Sequence, residues 1–145
     1  MPTDLTVLIL DQPEDAARMV GALQEVGFYV EARVAQTERD FRRQMDTAVQ
    51  LILADPGRPG TEAVLRVLDR QRVAVPIIVV ADGLDIEPLA SSARDYVLKA
   101  DLARLGGAVR RVLEEEAQEK ERKMLQRQRR LREAQRAAPE ARRSG

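Results

Sequence analysis

The sequence alternates short aliphatic runs with amphipathic segments of helical length, and this alternation limits its fold more than any other feature. The runs are rich in Val, Ile and Leu, and most of them end at a charged residue or a turn former. Strands of a parallel sheet are buried on both faces, so they read as continuous apolar runs separated by crossover helices. We therefore predict an α/β fold: a doubly wound, five-stranded parallel sheet with helices on its faces.

The boundaries of these elements follow from the apolar runs, from capping residues and from glycine or proline. Strands are predicted at 5–10, 28–34, 50–54, 75–81 and 96–99. Helices are predicted at 13–26, 37–45 and 61–71, with a long C-terminal helix from about 101 to 138. The connection at 82–95 is close to the shortest length that a parallel crossover allows, so its fourth helix is predicted to be shortened.

Composition restricts the chemistry that the chain can perform. Aromatic residues make up 3% of 145 residues, so the core of one domain must be aliphatic. Cysteine and histidine are absent, which removes disulfides, the commonest general base and the commonest zinc ligand. No apolar run approaches the roughly 20 residues of a membrane span, and no secretory signal opens the sequence. We expect a cytoplasmic protein that is not an enzyme.

Charged residues end several of the predicted strands. Asp11 follows the first strand, Asp55 the third and Asp82 the fourth, and Lys99 ends the fifth. The carboxyl ends of parallel strands meet at one edge of a sheet, where functional groups gather. Two or three carboxylates at such an edge suit weak Mg²⁺ binding. A carboxylate that lies beside both Mg²⁺ and a lysine ammonium can accept a phosphoryl group, because the two cations offset the charge on the transferring oxygens.

These residues resemble the receiver domain of two-component response regulators. The resemblance covers 5–113 and is carried by Asp11, Asp55 and Lys99 at strand ends, with "PEDA" opening the first helix and "DYVLKADLARL" closing the domain. It implies the strand order 2-1-3-4-5 of flavodoxin-like folds. It also implies a bacterial phosphorelay protein whose partner is a histidine kinase or another signalling protein.

The resemblance assigns a role to each matching residue. It makes Asp55 the phosphoacceptor and Lys99 the phosphate contact, while Asp11, Asp55 and the carbonyl of Gly57 are the Mg²⁺ ligands. It places the switch at Ala81 and Tyr96, the latter matching an aromatic residue that reorients on activation. Asp11, Asp55, Ala81 and Lys99 each lie at the carboxyl end of a predicted strand.

Three departures from the family pattern weaken these assignments. Leu10 stands where the family usually has a second acid, and Asp82 is the nearest residue that could replace it in part. Ala81 stands where a Ser or Thr usually bonds the phosphoryl oxygen. The fourth helix, part of the output face in the family, is cut short. We therefore predict that Asp55 accepts phosphate weakly and that Mg²⁺ binds in the millimolar range or worse.

The C-terminal segment differs in charge from the rest of the chain. Residues 1–121 carry 15 Lys and Arg against 22 Asp and Glu, whereas residues 122–145 carry nine against two. Such asymmetry concerns partners more than fold. We divide the sequence into a receiver-like domain at 1–113 and a charged helical extension at 114–145, a coiled coil or a linker.

A seven-residue repeat in this extension predicts a helical partner. Ala117, Met124, Leu131 and Ala138 recur at heptad spacing, but half of the companion positions are charged. A parallel pair sets Glu116 against an acid of its partner, whereas an antiparallel pair brings Glu116 near a basic residue. We therefore predict a weak, salt-sensitive homodimer through 114–138, with docking on another molecule's acidic body as the alternative.

Competing functions are ranked by the same residues. The main alternative is a pseudo-receiver that serves as a phosphorylation-independent interaction or dimerisation module. Nucleotide binding is disfavoured because the first turn, "DQPED", contains acids and no glycine. Nucleic-acid binding through the basic tail is also disfavoured, because the tail holds no aromatic residue and reads equally well as a solvated helix.

Overall fold

The computed structural model describes residues 3–58, 60–71, 74–83 and 93–143. The predicted shortened fourth helix falls largely on 84–92 and so lies outside the described residues. Among the described residues, no helix is long and apolar enough to cross a membrane.

Five strands form one sheet in which every described pairing is parallel. The strands are β1 (Thr3–Leu10), β2 (Phe28–Ala35), β3 (Leu51–Ala54), β4 (Ile77–Ala81) and β5 (Ala93–Leu98). Their order is β2-β1-β3-β4-β5. This confirms the α/β fold class and the flavodoxin-like order, with β1, β3 and β4 in the interior of the sheet.

The first three helices begin and end close to their predicted residues, whereas the long C-terminal helix runs to Arg143, beyond its predicted end at Ala138. They are α1 (Pro13–Glu25), α2 (Glu38–Gln44), α3 (Thr61–Gln71) and α4 (Leu105–Arg143), with a 3₁₀ segment at Lys99–Arg104. Thr37 caps α2, because its side chain accepts the Asp40 N–H at 3.1 Å. Gly27, with φ of +97°, turns the chain from α1 into β2.

The fifth strand differs from its predicted range of 96–99. It begins earlier, at Ala93, and ends at Leu98, so Lys99 opens the 3₁₀ segment and does not belong to the strand. The reason is that β5 is an edge strand whose residues alternate between partly buried and exposed, so its first residues carry no apolar signal. The long helix likewise starts at Leu105, after this 3₁₀ segment, and not near Asp101.

Alternate residues of the interior strands pack against opposite helical layers. Leu8 of β1 and Ile52 of β3 are fully buried in one cluster with Phe41 of α2 and with Val64 and Leu65 of α3. This packing fixes the register of the strands, because a shift of one residue would turn every apolar side chain to the other face. The charged residues that follow β1 and β3 are thereby held at one edge.

The chain divides into two compact units. The first extends to Val112 and contains the sheet, while the second begins at Leu113. The described part of the second unit is helical throughout and belongs to α4.

Candidate functional site

Asp55 follows β3 directly and is 4% exposed at the carboxyl edge of the sheet. Its backbone N–H donates to the Leu10 carbonyl at 3.1 Å, which extends the pairing of β3 with β1 by one residue. Its Oδ1 accepts a 2.8 Å hydrogen bond from the Gly57 N–H, and a Cβ atom at Gly57 would lie 3.2 Å from that oxygen. The loop therefore folds back over the carboxylate, which explains the turn formers after β3.

Asp11 follows β1 and is also buried. Its Oδ1 accepts a 2.7 Å hydrogen bond from the Gln12 N–H, and its buried Oδ2 lies 2.8 Å from the Lys99 ammonium nitrogen. Burial raises the pKa of the Asp11 carboxyl above its ordinary value, and the nearby Lys99 ammonium reduces that rise without reversing it. Asp11 is thus a buried carboxylate whose two oxygens face a backbone N–H and a cation.

Lys99 places its ammonium group among three carboxylates. Its Nζ lies 2.6 Å from Asp55 Oδ2, 2.8 Å from Asp11 Oδ2 and 2.9 Å from Asp15 Oδ2. Burial alone would lower the pKa of Lys99, but its contacts with the three carboxylates outweigh burial and raise that pKa. The predicted convergence of carboxylates and lysine at this edge is present in the structure.

Asp15 is a member of this cluster that the sequence reasoning missed. It lies in the first turn of α1, and its hydrogen bond with Lys99 lowers the pKa of its carboxyl. Asp82, the candidate for the missing acid, has a side chain 85% exposed and lies 3.9 Å from Lys99 Nζ. The position of Asp15 in the sequence could have indicated its place in the cluster. It comes four residues after Asp11, at the start of a helix that begins beside the end of that strand.

Arg58 is a second residue that the sequence reasoning missed. Its Nε lies 3.9 Å from Asp11 Oδ1, and its guanidinium nitrogens donate to the Gln12 side-chain oxygen when that amide is oriented to accept. The backbone holds it there, because the Arg58 N–H donates to the Asp55 carbonyl at 3.2 Å. Two cationic side chains, Arg58 and Lys99, therefore flank Asp11.

The two departures that fall on single described residues are both buried and apolar. Leu10 is buried in the core cluster and offers no side-chain oxygen. Ala81 ends β4 in register with Leu98 and is buried, with no side-chain donor for a phosphoryl oxygen. Tyr96 lies on β5 in register with Val79 and is 40% exposed. The structure places Ala81 and Tyr96 on neighbouring strands but assigns no polar link between them.

The carboxylates at this edge are close to the smallest set of protein ligands that suits Mg²⁺. Asp11 and Asp55 supply two buried carboxylates, and one oxygen of each already contacts Lys99 Nζ. Mg²⁺ often binds through one or two carboxylates and keeps several waters. In the part of the chain that the structure describes, no group of three or more acidic side chains is arranged to hold a metal ion. A Mg²⁺ ion held here would therefore have two carboxylate ligands and would share them with Lys99.

Comparisons with known proteins agree with this topology. No protein-family model and no curated protein matches the sequence. Among solved structures, the chain is similar to a CheY-like receiver domain protein from Methanospirillum hungatei JF-1, with a TM-score of 0.64 and 18% identity over 82% of this chain and 99% of that chain.

Two further structures extend the comparison. The receiver domain of the Francisella response regulator 1452 gives a TM-score of 0.62 and 23% identity over 77% of this chain and 98% of that chain. NtrX from Brucella abortus, solved in complex with ADP, gives 0.71 and 23% over 86% of this chain but 29% of NtrX. The chain therefore has the fold of response-regulator receiver domains, at identities that establish the fold alone.

Proposed function

We propose that this protein is the receiver domain of a two-component phosphorelay and that Asp55 accepts a phosphoryl group from a histidine kinase. The observation that carries this proposal is the buried contact of 2.6 Å between Lys99 Nζ and Asp55 Oδ2, at the strand edge where such folds hold their functional groups. A buried ion pair is a weak source of stability because both groups are costly to desolvate, which favours a functional role for this one.

The chemistry is a transfer between two side chains. A carboxylate oxygen of Asp55 bonds to phosphorus, the P–N bond of the kinase phosphohistidine breaks, and the imidazole leaves with the electron pair. Lys99 offsets charge on the transferring oxygens, and the Gly57 N–H holds Asp55 Oδ1 in place. When bound by Asp11, Asp55 and Gly57, Mg²⁺ supplies further charge neutralisation. The output passes to other proteins through surface contacts and the C-terminal helix.

Phosphorylation of Asp55 is expected to be slow and incomplete. Leu10 withholds an anion from the cation site, and Ala81 withholds the hydroxyl that would couple a phosphoryl oxygen to Tyr96. Incubation with acetyl phosphate and Mg²⁺, followed by intact-mass measurement, should give partial labelling. The label should disappear in Asp55→Asn and persist in Asp4→Asn, a matched change at an exposed acid near the opposite edge of the sheet.

Other outcomes of this experiment are decisive. Rapid, stoichiometric labelling that Asp55→Asn abolishes would show that the site is stronger than proposed. Complete absence of label, together with unchanged amide NMR signals around Asp55 on addition of beryllofluoride and Mg²⁺, would overturn phosphoacceptance.

The second candidate function is a pseudo-receiver, an interaction module that works without phosphorylation. It is favoured by the two cations, Lys99 and Arg58, that already offset the buried carboxylates. Under this proposal, Asp55→Asn leaves partner binding unchanged, whereas a phosphorelay receiver loses its response to acetyl phosphate. Nucleic-acid binding through the basic tail is a weaker candidate, and a strong salt dependence of DNA binding would be needed to support it.

A further inference from the structure

The second unit carries large apolar side chains that are exposed. Residues 121–137 of α4 are exposed throughout, and the large apolar residues Met124, Leu125 and Leu131 are 55–60% exposed. Helical residues bury little against their own helix, so an isolated helix gains little stability from such side chains. Large apolar residues exposed to this degree on a helix favour association with a partner.

Most of these residues lie on one side of the helix. Ala117, Met124 and Leu131 are separated by seven residues, and Leu113 lies four residues before Ala117, which together form a narrow stripe along α4. Lys120 and Arg127 fall within the same stripe. A stripe of this width accommodates one partner helix and not a sheet or a large apolar surface.

Charge on the same helix is divided into two consecutive blocks. The acidic block, 114–121, contains five Glu and one Lys, while the basic block, 122–132, contains six Lys and Arg and no acid. Within the helix, Glu119 pairs with Arg122 and Lys123 across the boundary between the blocks. The two blocks are of similar length. A second copy of the helix that runs in the opposite direction therefore sets its basic block beside the acidic block of the first.

We propose that residues 113–131 of α4 pair with the same residues of a second copy in an antiparallel coiled coil centred on Arg122. The proposal deepens the proposed function by naming the partner of the C-terminal helix. It does not depend on whether Asp55 is phosphorylated, and the tests below leave the Asp55 site untouched.

The stripe itself favours the antiparallel direction. A parallel pair places Lys120 against Lys120 and Arg127 against Arg127 in the seam, where like charges repel. The antiparallel pair centred on Arg122 instead sets Leu113 across from Leu131. It sets Lys120 across from Met124 and Arg127 across from Ala117, so each charged residue in the seam faces an apolar one. The aliphatic part of a Lys or Arg side chain can lie along an apolar neighbour while its charge reaches water.

The charge blocks favour the same alignment. The antiparallel pair brings Glu114 and Glu115 beside Arg129 and Arg130 of the second copy, at both ends of the paired region. These pairs are exposed, so each contributes little and salt weakens them. We therefore expect association that is detectable at roughly 100 μM in low salt and is lost at high salt.

The direction of pairing can be read with single cysteines, because the chain has no cysteine of its own. Full-length Ala117→Cys and Arg127→Cys are mixed and oxidised in low salt. In the proposed pair these two positions face each other, so the mixed disulfide should predominate over both homodimers. Two copies of either position lie about 15 Å apart along the axis in this alignment. A parallel pair would instead give homodimers of each variant, which would overturn the proposal.

Reversing the charges of one block tests the pairing without changing the residues of the stripe. The variant with Glu114, Glu115 and Glu116 all changed to Lys should self-associate about tenfold more weakly by sedimentation. The variant with Arg129, Arg130 and Arg132 all changed to Glu should be weakened similarly, and a mixture of the two should recover association. Helical content from circular dichroism checks that each variant still folds.

The remaining outcomes exclude the proposal. A chain that stays monomeric at roughly 100 μM in low salt would exclude it, as would a mixture of reversed variants that fails to associate more than either alone. Binding of the tail to the first unit of another copy would be revealed if the mixed disulfide is absent while association persists. Acetyl phosphate labelling of Asp55 in the same variants reports separately on the proposed function.

Discussion

Lys99 is the residue that balances the buried negative charge. Its ammonium contacts Asp11, Asp15 and Asp55 within 2.9 Å, and no other cation lies as close to Asp55 in the described residues. Removing one partner from a buried ion cluster leaves the others uncompensated, which costs more than the cluster itself contributes. The stability of the first unit should therefore depend strongly on this side chain.

We expect Lys99→Met to lower the free energy of unfolding by about 3 kcal/mol at neutral pH. Urea denaturation followed by circular dichroism measures this loss. Lys123→Met, the same change at an exposed residue of α4 outside the heptad positions 117, 120, 124 and 127, is the control and should have little effect. A loss as small as in the control would show that the carboxylates find compensation elsewhere, Arg58 being the nearest candidate.

The effect of Lys99→Met should depend on pH in a defined way. The pKa of Lys99 is raised in the folded protein, so its stabilisation is complete below its ordinary value of 10.5 and is lost only above the raised pKa. The pKa of Asp15 is lowered, so its part is present above 3.8 and is lost as pH falls through the lowered value. The difference between wild type and variant should be constant from pH 7 to about 10 and shrink below about pH 4. A difference that declines between pH 7 and 9 would contradict the raised pKa.

Arg58 should compete with Mg²⁺ for Asp11. Its guanidinium lies beside the Asp11 carboxylate, and its removal withdraws a positive charge from the cation site. We expect Arg58→Gln to tighten Mg²⁺ binding about two- to fivefold, the scale of a partly exposed pair. Amide NMR titration measures the affinity, with Arg66→Gln on the exposed face of α3 as the control. Weaker Mg²⁺ binding in Arg58→Gln would show that Arg58 supports the site.

At the scale of elements, two adjacent glycines in the first turn of α4 should respond in opposite directions to the same change. A Cβ atom at Gly106 would overlap the Val26 side chain. A Cβ atom at Gly107 would instead point into open space. Gly106→Ala should therefore destabilise by about 1–3 kcal/mol through overpacking. Gly107→Ala should stabilise by about 0.5–1 kcal/mol, since alanine loses less backbone entropy in a helix.

Thermal denaturation of the two glycine variants measures both effects against one wild type. The overlap at Gly106 concerns the side chain of a residue that follows α1, so the helix α4 is fitted closely to the end of α1. Equal melting temperatures for the two variants would show that Val26 moves aside without cost.

How far the sequence predicts each element depends on the origin of its signal. Interior strands such as β3 are continuous apolar runs, and the capped helix α2 is marked by Thr37, so their positions were correctly predicted. The edge strand β5 begins with Ala-Arg-Asp, which carries no strand pattern and is set by pairing with β4. Tertiary contact, and not local propensity, defines such an edge.

The residues of the site likewise divide into those that the sequence predicted and those that it did not. Asp11 and Asp55 were predicted because each stands directly after an apolar run, where the topology alone brings them together. Asp15 and Arg58 were missed because their contacts depend on the direction of side chains from a helix turn and a loop. The apolar runs carry information on topology, whereas rotamers and loop paths follow from packing that a single sequence does not display.

For the whole molecule, the two compact units should differ in local stability. Residues 121–137 bury almost nothing, so their helical hydrogen bonds are opened by fluctuations that leave the sheet intact. At low protein concentration we expect hydrogen exchange to be fast in this segment and slow in β1 and β3. Raising the concentration in low salt should slow exchange in the tail alone. Slow exchange in the tail at every concentration would indicate a stabilising contact within one chain.

Synthesis of the chain from its N-terminus gives the position of Lys99 a further consequence. The central strand β1 and its neighbours β2 and β3 leave the ribosome before β5, and Asp11, Asp15 and Asp55 leave with them. Until the last strand docks on β4, these three acids have no lysine among them and repel one another. Lys99 follows β5 directly, so closing the edge of the sheet and delivering the counter-ion are one event. A nascent chain that stops short of this residue carries both an open edge and an unbalanced charge, two features by which quality control distinguishes unfinished proteins.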